Sequence, residues 1–208
     1  MATADSLTAM EAAALVPVKA FDAAKARLAP VMPARDRQRL ARWMAERVVR
    51  SLEPLPVFVA CDDEEVAAWA EQLGAAVLWG PGLGLNGAID TGIETLAGKG
   101  ADHVIVSHGD LPRPESLPEV LAAETIVLVP DRRRDGTNVI ARPTSVHLPA
   151  GYGPGSFDRH LAAALDAGVE VRVRRDPLLS IDVDTADDCR HPAVAGLLSS
   201  VLGEAMPA

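Results

Sequence analysis

The chain has 208 residues, of which 49% are hydrophobic and 24% charged. That balance fits one sizeable folded domain and excludes a disordered chain or a small scaffold dependent on disulfides. Twenty-nine Asp and Glu face twenty Lys and Arg, for a net charge of −9. Binding to nucleic acid by bulk charge is thereby excluded, and an anionic ligand must be met by a few placed cations, backbone N–H groups or a metal.

Short apolar runs alternate with amphipathic stretches. Residues 14–18 (ALVPV) read as a first strand. Residues 35–52 read as a helix, with Leu40, Trp43, Met44, Val48 and Leu52 on one stripe. A strand follows at 57–60, then a helix over 64–73 for which Asp62 and Asp63 are candidate caps. Residues 76–79 form a short strand, 80–87 a Gly-rich loop, and the next helix runs to about Leu96. HVIVS at 103–107 is a clear strand, followed by strands at 125–129 and 138–142. The Pro/Gly-rich stretch 144–155 reads as a loop, 157–167 as a helix and 169–174 as a strand. A strand fragment at 181–183 precedes a last helix, opened by Thr185 with Asp188 three residues on, a capping-box pattern. This alternation predicts an α/β fold with a mainly parallel central sheet covered by helices on both faces. The expected domain spans 13–200, with tails at 1–12 and 201–208.

Cys61 and Cys189 form no CxxC pair, so a zinc ribbon is excluded and buried thiols in a reducing cytoplasm are expected. No run of about 18 apolar residues predicts a membrane helix. The acidic N-terminus lacks the basic start of a secretory signal.

In open parallel sheets, ligands bind beyond the carboxyl ends of the strands. After the first strand come Lys19, Lys25 and Arg27, three cations able to neutralise a polyphosphate. A solvated basic turn is the equal alternative on spacing alone. No GxxxxGK[ST] is present, so a P-loop is excluded. Asn86, in the loop after the third strand, can read a purine edge or cap the helix that starts there. Asp110 stands just past HVIVS, where a metal ligand or a turn residue is expected. Asp182 and Asp184 are two apart in an extended segment and so share one face, an arrangement that is unfavourable unless a cation sits between them. With Asp110 they make a three-carboxylate candidate for Mg²⁺, a hard ion that prefers oxygen ligands and substrate phosphates, the alternative being that Asp184 belongs to the N-terminal cap of the next helix. Thr137, with its hydroxyl and N–H, and Ser156, a natural N-cap, could hold a small anion. His160 could join them, although a lone helix histidine is usually structural, and His108 is assigned no role. There is no GxSxG, no HExxH and no Cys/His pair for covalent chemistry.

VPVKAFDAAKARL, GLN, GDLP, DGTN, GPGSFDRH and DVDTADD stand in that order between Leu15 and Cys189. Together they resemble the guanylyltransferases of coenzyme F-420 biosynthesis, which act on 2-phospho-L-lactate or phosphoenolpyruvate. The resemblance implies a single Rossmann-like, GT-A-type nucleotidyltransferase domain. It implies that GTP and a small phosphorylated carboxylic acid are the substrates, and that pyrophosphate is released. It assigns Thr137, Gly153 and Ser156 to the phosphorylated acid and Asp110, Asp182 and Asp184 to the metal. It assigns Lys19, Lys25 and Arg27 to the catalytic cationic segment at the GTP phosphates, and Asn86 to the nucleotide. The lysine-poor, Arg- and Ala-rich composition tilts the acceptor toward phosphoenolpyruvate. A nucleotidyltransferase for another acceptor, molybdenum cofactor-like or a sugar phosphate, or a non-catalytic nucleotide-binding module, is the competing reading, and a homodimer stays open.

Overall fold

A computed structural model describes residues 11–122 and 124–203. Seven strands form one sheet in the order β3-β2-β1-β4-β6-β5-β7. They are β1 (Ala12–Pro17), β2 (Val57–Cys61), β3 (Ala76–Trp79), β4 (His103–Ser107), β5 (Thr125–Pro130), β6 (Thr137–Pro143) and β7 (Glu170–Val173). Pairings β1–β2, β1–β4, β2–β3 and β5–β7 are parallel. Strand β6 runs antiparallel to both β4 and β5. The six residues between β5 and β6 are too few for a parallel crossover, so the chain must reverse there.

The helices are α1 (Ala34–Ser51), α2 (Glu64–Gln72), α3 (Gly84–Gly98), α4 (Ser156–Asp166), α5 (Ala186–Cys189) and α6 (Pro192–Leu202). The strand period of two sends alternate residues to opposite faces. Ala14, Val16, Val57, Val59, Ile105 and Val139 pack under α1 and α2. Ala13, Leu15, Phe58, Val104, Val106 and Ile140 pack under α3 and α4. The sheet is therefore covered on both faces, as the alternation predicts. No helix among the described residues is long and apolar enough to cross a membrane.

A third cluster positions the site. Leu28 and Met32 join Leu40 and Met44 of α1, Ile181, Val183, Cys189 of α5, and Val194 and Leu198 of α6. Residues 181–184 are not a strand, because no sheet neighbour pairs with them. Their alternation survives nonetheless: Ile181 and Val183 are buried, while Asp182 and Asp184 stand partly exposed. Burying two such side chains contributes about 1.5–3 kcal/mol each, enough to fix which way the acids point.

The ends of the fold differ slightly from the expected limits. Ala12 already belongs to β1, and Glu11 accepts backbone hydrogen bonds from Asp102 and His103. At the other end, Val201 is buried within α6. Residues 1–10 and 204–208 of the expected tails lie outside the described residues. Cys61 and Cys189 are buried free thiols, and burial pushes both pKa values up, which keeps them protonated and unreactive.

Helix α3 approaches β1 closely through Gly92. A Cβ there would stand 2.8 Å from Leu15 Cδ2 and 3.1 Å from Cδ1, and Leu15 is fully buried. Gly92→Val is expected to destabilise the fold by about 1–3 kcal/mol through overpacking. A lowered urea midpoint with unchanged m-value checks this, and an unchanged midpoint counts against the close approach.

Candidate active site

The carboxyl ends of β1 and β4 are adjacent in the sheet, and a cavity of about 350 Å³ opens beyond them. Lys19, Lys25, His108, Asp110 and Asp184 line it. Asp110 follows β4 directly through the turn at Gly109. Asp182 and Asp184 arrive from the extended segment pinned by the third cluster. One oxygen from each of Asp110, Asp182 and Asp184 lies within 4.8 Å of the others. The structure thus brings together the three acids expected to act as a set.

Lys25 organises them. Its residue adopts a left-handed backbone conformation, φ 55°, which turns the chain inward. Its Nζ donates to Asp110 Oδ2 and to Asp184 Oδ1, each at 2.8 Å. The side chain is only 7% exposed. Burial by itself would lower the lysine pKa, but Asp110 and Asp184 outweigh it and raise the pKa, so Lys25 stays charged. Burial likewise acts to raise the Asp110 pKa, and the Lys25 ammonium outweighs it and holds Asp110 ionised. Lys25 therefore bridges the acids, while Lys19 is the exposed ammonium on the cavity wall. Arg27 stands at the rim, 77% exposed, with Nη1 3.6 Å from Asp184 Oδ2.

One ammonium cannot satisfy three carboxylates. Burial, then the charges of Asp110 and Asp184, push the Asp182 pKa up to about 7. Asp110 Oδ1 and Asp182 Oδ1 are buried and have no hydrogen-bond partner among the described residues. Three carboxylate oxygens this close, in residues that leave two oxygens unpartnered, are the donor set that a hard divalent ion fits. A divalent metal is accordingly consistent with both the fold and the acids.

Beside this triad lies a second group of polar residues around the loop 150–155. Its backbone is held at several points. The Ala150 N–H donates to Asp90, the Tyr152 N–H to Asn86 Oδ1 at 2.8 Å, and the Gly155 N–H to Asp135. Asn86 Nδ2 donates back to the Tyr152 carbonyl at 3.3 Å. Of the two expected roles for Asn86, capping is displaced by this clamp. Helix α3 starts at Gly84, with Leu83 as N-cap, so Asn86 lies inside the first turn and cannot cap it. Both ends of its amide hold the Tyr152 backbone, so Asn86 positions the loop.

Ser156 is also not the N-cap that the sequence suggests. Gly155, at φ 70°, takes that position because it can adopt the left-handed conformation there. Ser156 instead accepts the Thr137 N–H at its Oγ, 3.1 Å away. Its own hydroxyl hydrogen is left for another acceptor. The Thr137 Oγ1 lies 3.0 Å from His160 Nδ1. The Gly151 N–H donates to His160 Nε2 at 3.0 Å, so that nitrogen is the acceptor and Nδ1 carries the hydrogen. His160 then donates to Thr137, which frees the Thr137 hydroxyl hydrogen as well. Thr137, Gly153 and Ser156 are thus gathered at one end of β6 and α4, as their assignment to one ligand requires.

Two histidines and a tyrosine join this group to the triad. The His108 ring lies 5.0 Å from Tyr152, and Tyr152 lies 4.7 Å from His160, centroid to centroid. His108 Nδ1 stands 4.0 Å from Asp110 Oδ1. Burial lowers the His108 pKa and keeps the imidazole neutral. Tyr152 and His108 escaped the sequence reading because an isolated aromatic or histidine carries no spacing signal. Asp188 is buried and takes Arg132, Arg133 and the Thr185 N–H and hydroxyl, completing the expected capping box.

Comparison with known proteins places the chain clearly. The sequence model of a family described as "Guanylyl transferase CofC like" matches residues 12–196. A phosphoenolpyruvate guanylyltransferase of Rubrobacter xylanophilus is 36% identical over 196 residues, covering 90% of this chain and 96% of that protein. A 2-phospho-L-lactate guanylyltransferase of Methanothermobacter thermautotrophicus is 30% identical over 187 residues, covering 86% and 82%. Among solved structures, a protein of Desulfovibrio desulfuricans described as a nucleotide-diphospho-sugar transferase superposes with a TM-score of 0.72 at 18% identity, covering 93% of this chain and 96% of that one. A nucleotidyl transferase of Methanothermobacter superposes with a TM-score of 0.55 at 15% identity, covering 86% and 94%. The last two establish the nucleotidyltransferase type of fold.

His160 supplies a stability prediction. Burial, with Arg159 and His108 adding to it, lowers its pKa to about 4, below the usual 6.5. A depressed pKa means that its contribution is fully present above pH 6.5. It is lost as pH falls toward 4, because the unfolded chain takes up the proton first. His160→Gln should therefore cost more stability at pH 7 than at pH 4.5, by on the order of 3 kcal/mol. Urea unfolding at the two pH values checks this, and an equal cost at both would remove His160 from the acid response.

Proposed function

The chain belongs to the family of CofC-like guanylyl transferases, and we propose that it joins GTP to a small phosphorylated carboxylic acid with release of pyrophosphate. The observation that carries this reading is the acid triad with its orphaned oxygens, set at the ligand end of the sheet beside a free lysine. Phosphoenolpyruvate is the favoured acceptor, since relatives of that name are 36% and 34% identical over 90% and 88% of this chain. The 2-phospho-L-lactate of a more distant relative is the second candidate. The reaction would serve coenzyme F-420 biosynthesis, and the buried thiols fit a cytoplasmic setting.

In this reaction an oxygen of the acceptor's phosphate bonds to the α-phosphorus of GTP. The bond from that phosphorus to the α–β bridging oxygen breaks, and pyrophosphate leaves with the electron pair. The nucleophile is already an anion, so no strong general base is required. That agrees with a site holding neutral His108 and His160 and no reactive thiol. What the reaction needs is alignment and compensation of charge.

The residues divide those tasks. Asp110, Asp182 and Asp184 would hold Mg²⁺, which when bound supplies positive charge to neutralise the substrate phosphates. Lys25 keeps Asp110 ionised and holds both Asp110 and Asp184 in place. Lys19, exposed on the wall of the cavity, meets the triphosphate, and Arg27 extends the positive rim. The hydroxyls of Thr137 and Ser156 and the backbone at Gly153 receive the phosphorylated acid. Asn86 and Asp90 hold the loop that presents them.

Asp182→Asn is expected to lower acceptor-dependent pyrophosphate release from GTP by about 100-fold or more, with the near-ultraviolet circular dichroism unchanged. A rate close to wild type would overturn the metal assignment. The acceptor itself is read from product mass after incubation with GTP, Mg²⁺ and each phosphorylated acid in turn. A product from a sugar phosphate, with none from any acid, would favour a different nucleotidyltransferase activity on the same fold.

A further inference from the structure

A second cavity, of about 260 Å³, lies beside the first and shares Lys19 and Leu85 with it. It extends from Lys19 toward the carboxyl ends of β2 and β3, and none of residues 150–155 lines it. Its volume falls below the range of about 300–1,000 Å³ typical for whole drug-sized ligands. It therefore suits one flat ring system attached to something anchored in the neighbouring cavity. Its walls fit that shape, because Ala20, Gly80, Gly84 and Ala88 present little or no side chain.

One acidic residue lines this slot, Asp62. Asp62 follows β2 directly, is exposed, and makes no side-chain hydrogen bond or ion pair among the described residues. Its neighbour Asp63 is already committed, since its Oδ1 accepts the Val66 N–H as the N-cap of α2. Helix capping thus accounts for one of the two adjacent acids and leaves the other free at the mouth of a base-sized slot.

We infer that Asp62 is the residue that selects guanine, by accepting two parallel hydrogen bonds from the base edge. This rests on the reading of the chain as a nucleotidyltransferase and assigns the base within it. The chemistry is selective. Guanine places an N1–H beside an exocyclic N2 amine, two adjacent donors that match the two oxygens of a carboxylate. Adenine and cytosine place a ring-nitrogen acceptor beside their amine, so one carboxylate oxygen would face a lone pair. Uracil flanks its single N–H with two carbonyls. A base seated in the slot would cover Asp62, and an edge that then lacks its partner is rejected more strongly than a difference of shape in an apolar pocket.

The same chemistry gives a test with a gain of function. Xanthine carries a carbonyl where guanine carries the N2 amine. An amide at position 62 can accept from N1–H and donate to that carbonyl. Equilibrium binding of GTP and xanthosine triphosphate to the full chain with Mg²⁺, together with pyrophosphate release in the presence of the acceptor, measures the switch. For Asp62→Asn, GTP affinity and kcat/KM should fall about 100-fold or more. Xanthosine triphosphate should become the better ligand and substrate. A variant that still prefers GTP, or that loses both nucleotides while its thermal unfolding matches wild type, would overturn the inference. The two readings fail separately. Wild type that binds GTP without any turnover removes the transferase reading and leaves the base preference measurable. Turnover with an unswitched preference removes only Asp62.

Discussion

The buried ammonium of Lys25 ties three distant parts of the chain to one point. It lies 85 residues from Asp110 and 159 from Asp184, and bonds both at 2.8 Å. Bringing three carboxylates within a few ångströms is unfavourable, and a buried ion pair gains little once desolvation is counted. Its value here is in position. Removing the ammonium would leave the acids repelling one another in a partly desolvated site, and the segment carrying Asp182 and Asp184 has no sheet partner to hold it. What holds that segment from below is the small cluster of Leu28, Met32, α1, α5 and α6. The apolar anchor and the ammonium act on opposite sides of the same four residues.

The second half of the site is built differently. The loop 150–155 has little regular structure, yet side chains from three separate parts of the fold hold its backbone N–H groups: Asp90 and Asn86 from α3, Asp135 from the turn before β6, and His160 from α4. Tyr152 then inserts between His108 and His160. This packing makes a continuous chain of contacts from Asp110 through His108, Tyr152 and His160 to Thr137, linking the acid triad to the loop 150–155. In-line transfer between two anions depends on geometry more than on acid–base chemistry.

Most of the fold was legible because each element carried a local signal. The runs at 76–79 and 103–107 coincide with β3 and β4, and the stripe of Leu40, Met44 and Val48 marks the buried face of α1. The acid triad was legible too, since alternation about Ile181 and Val183 puts Asp182 and Asp184 on one face even without a strand. Hydrogen-bond choices were not. Asn86 and Ser156 look like caps, and in the fold each serves the backbone of another segment. A polar side chain near a helix start has several partners of similar worth, and distant chain decides among them. Asp62 and Asp63 show the same limit, for either could cap α2 and only one does.

The sequence by itself determined the alternating α/β class, the three acids, the cationic segment after the first strand and the kinship that six ordered motifs express. These are properties of spacing and residue type, which local physics reads directly. The tertiary structure alone decided that Lys25 bridges the acids while Lys19 faces the cavity, that His160 carries its hydrogen on Nδ1, and that a lone acid stands in a second slot. Each of these depends on which groups meet after the chain has folded. Two lysines of equal chemistry and nearly equal position differ only in what burial and distant carboxylates do to them.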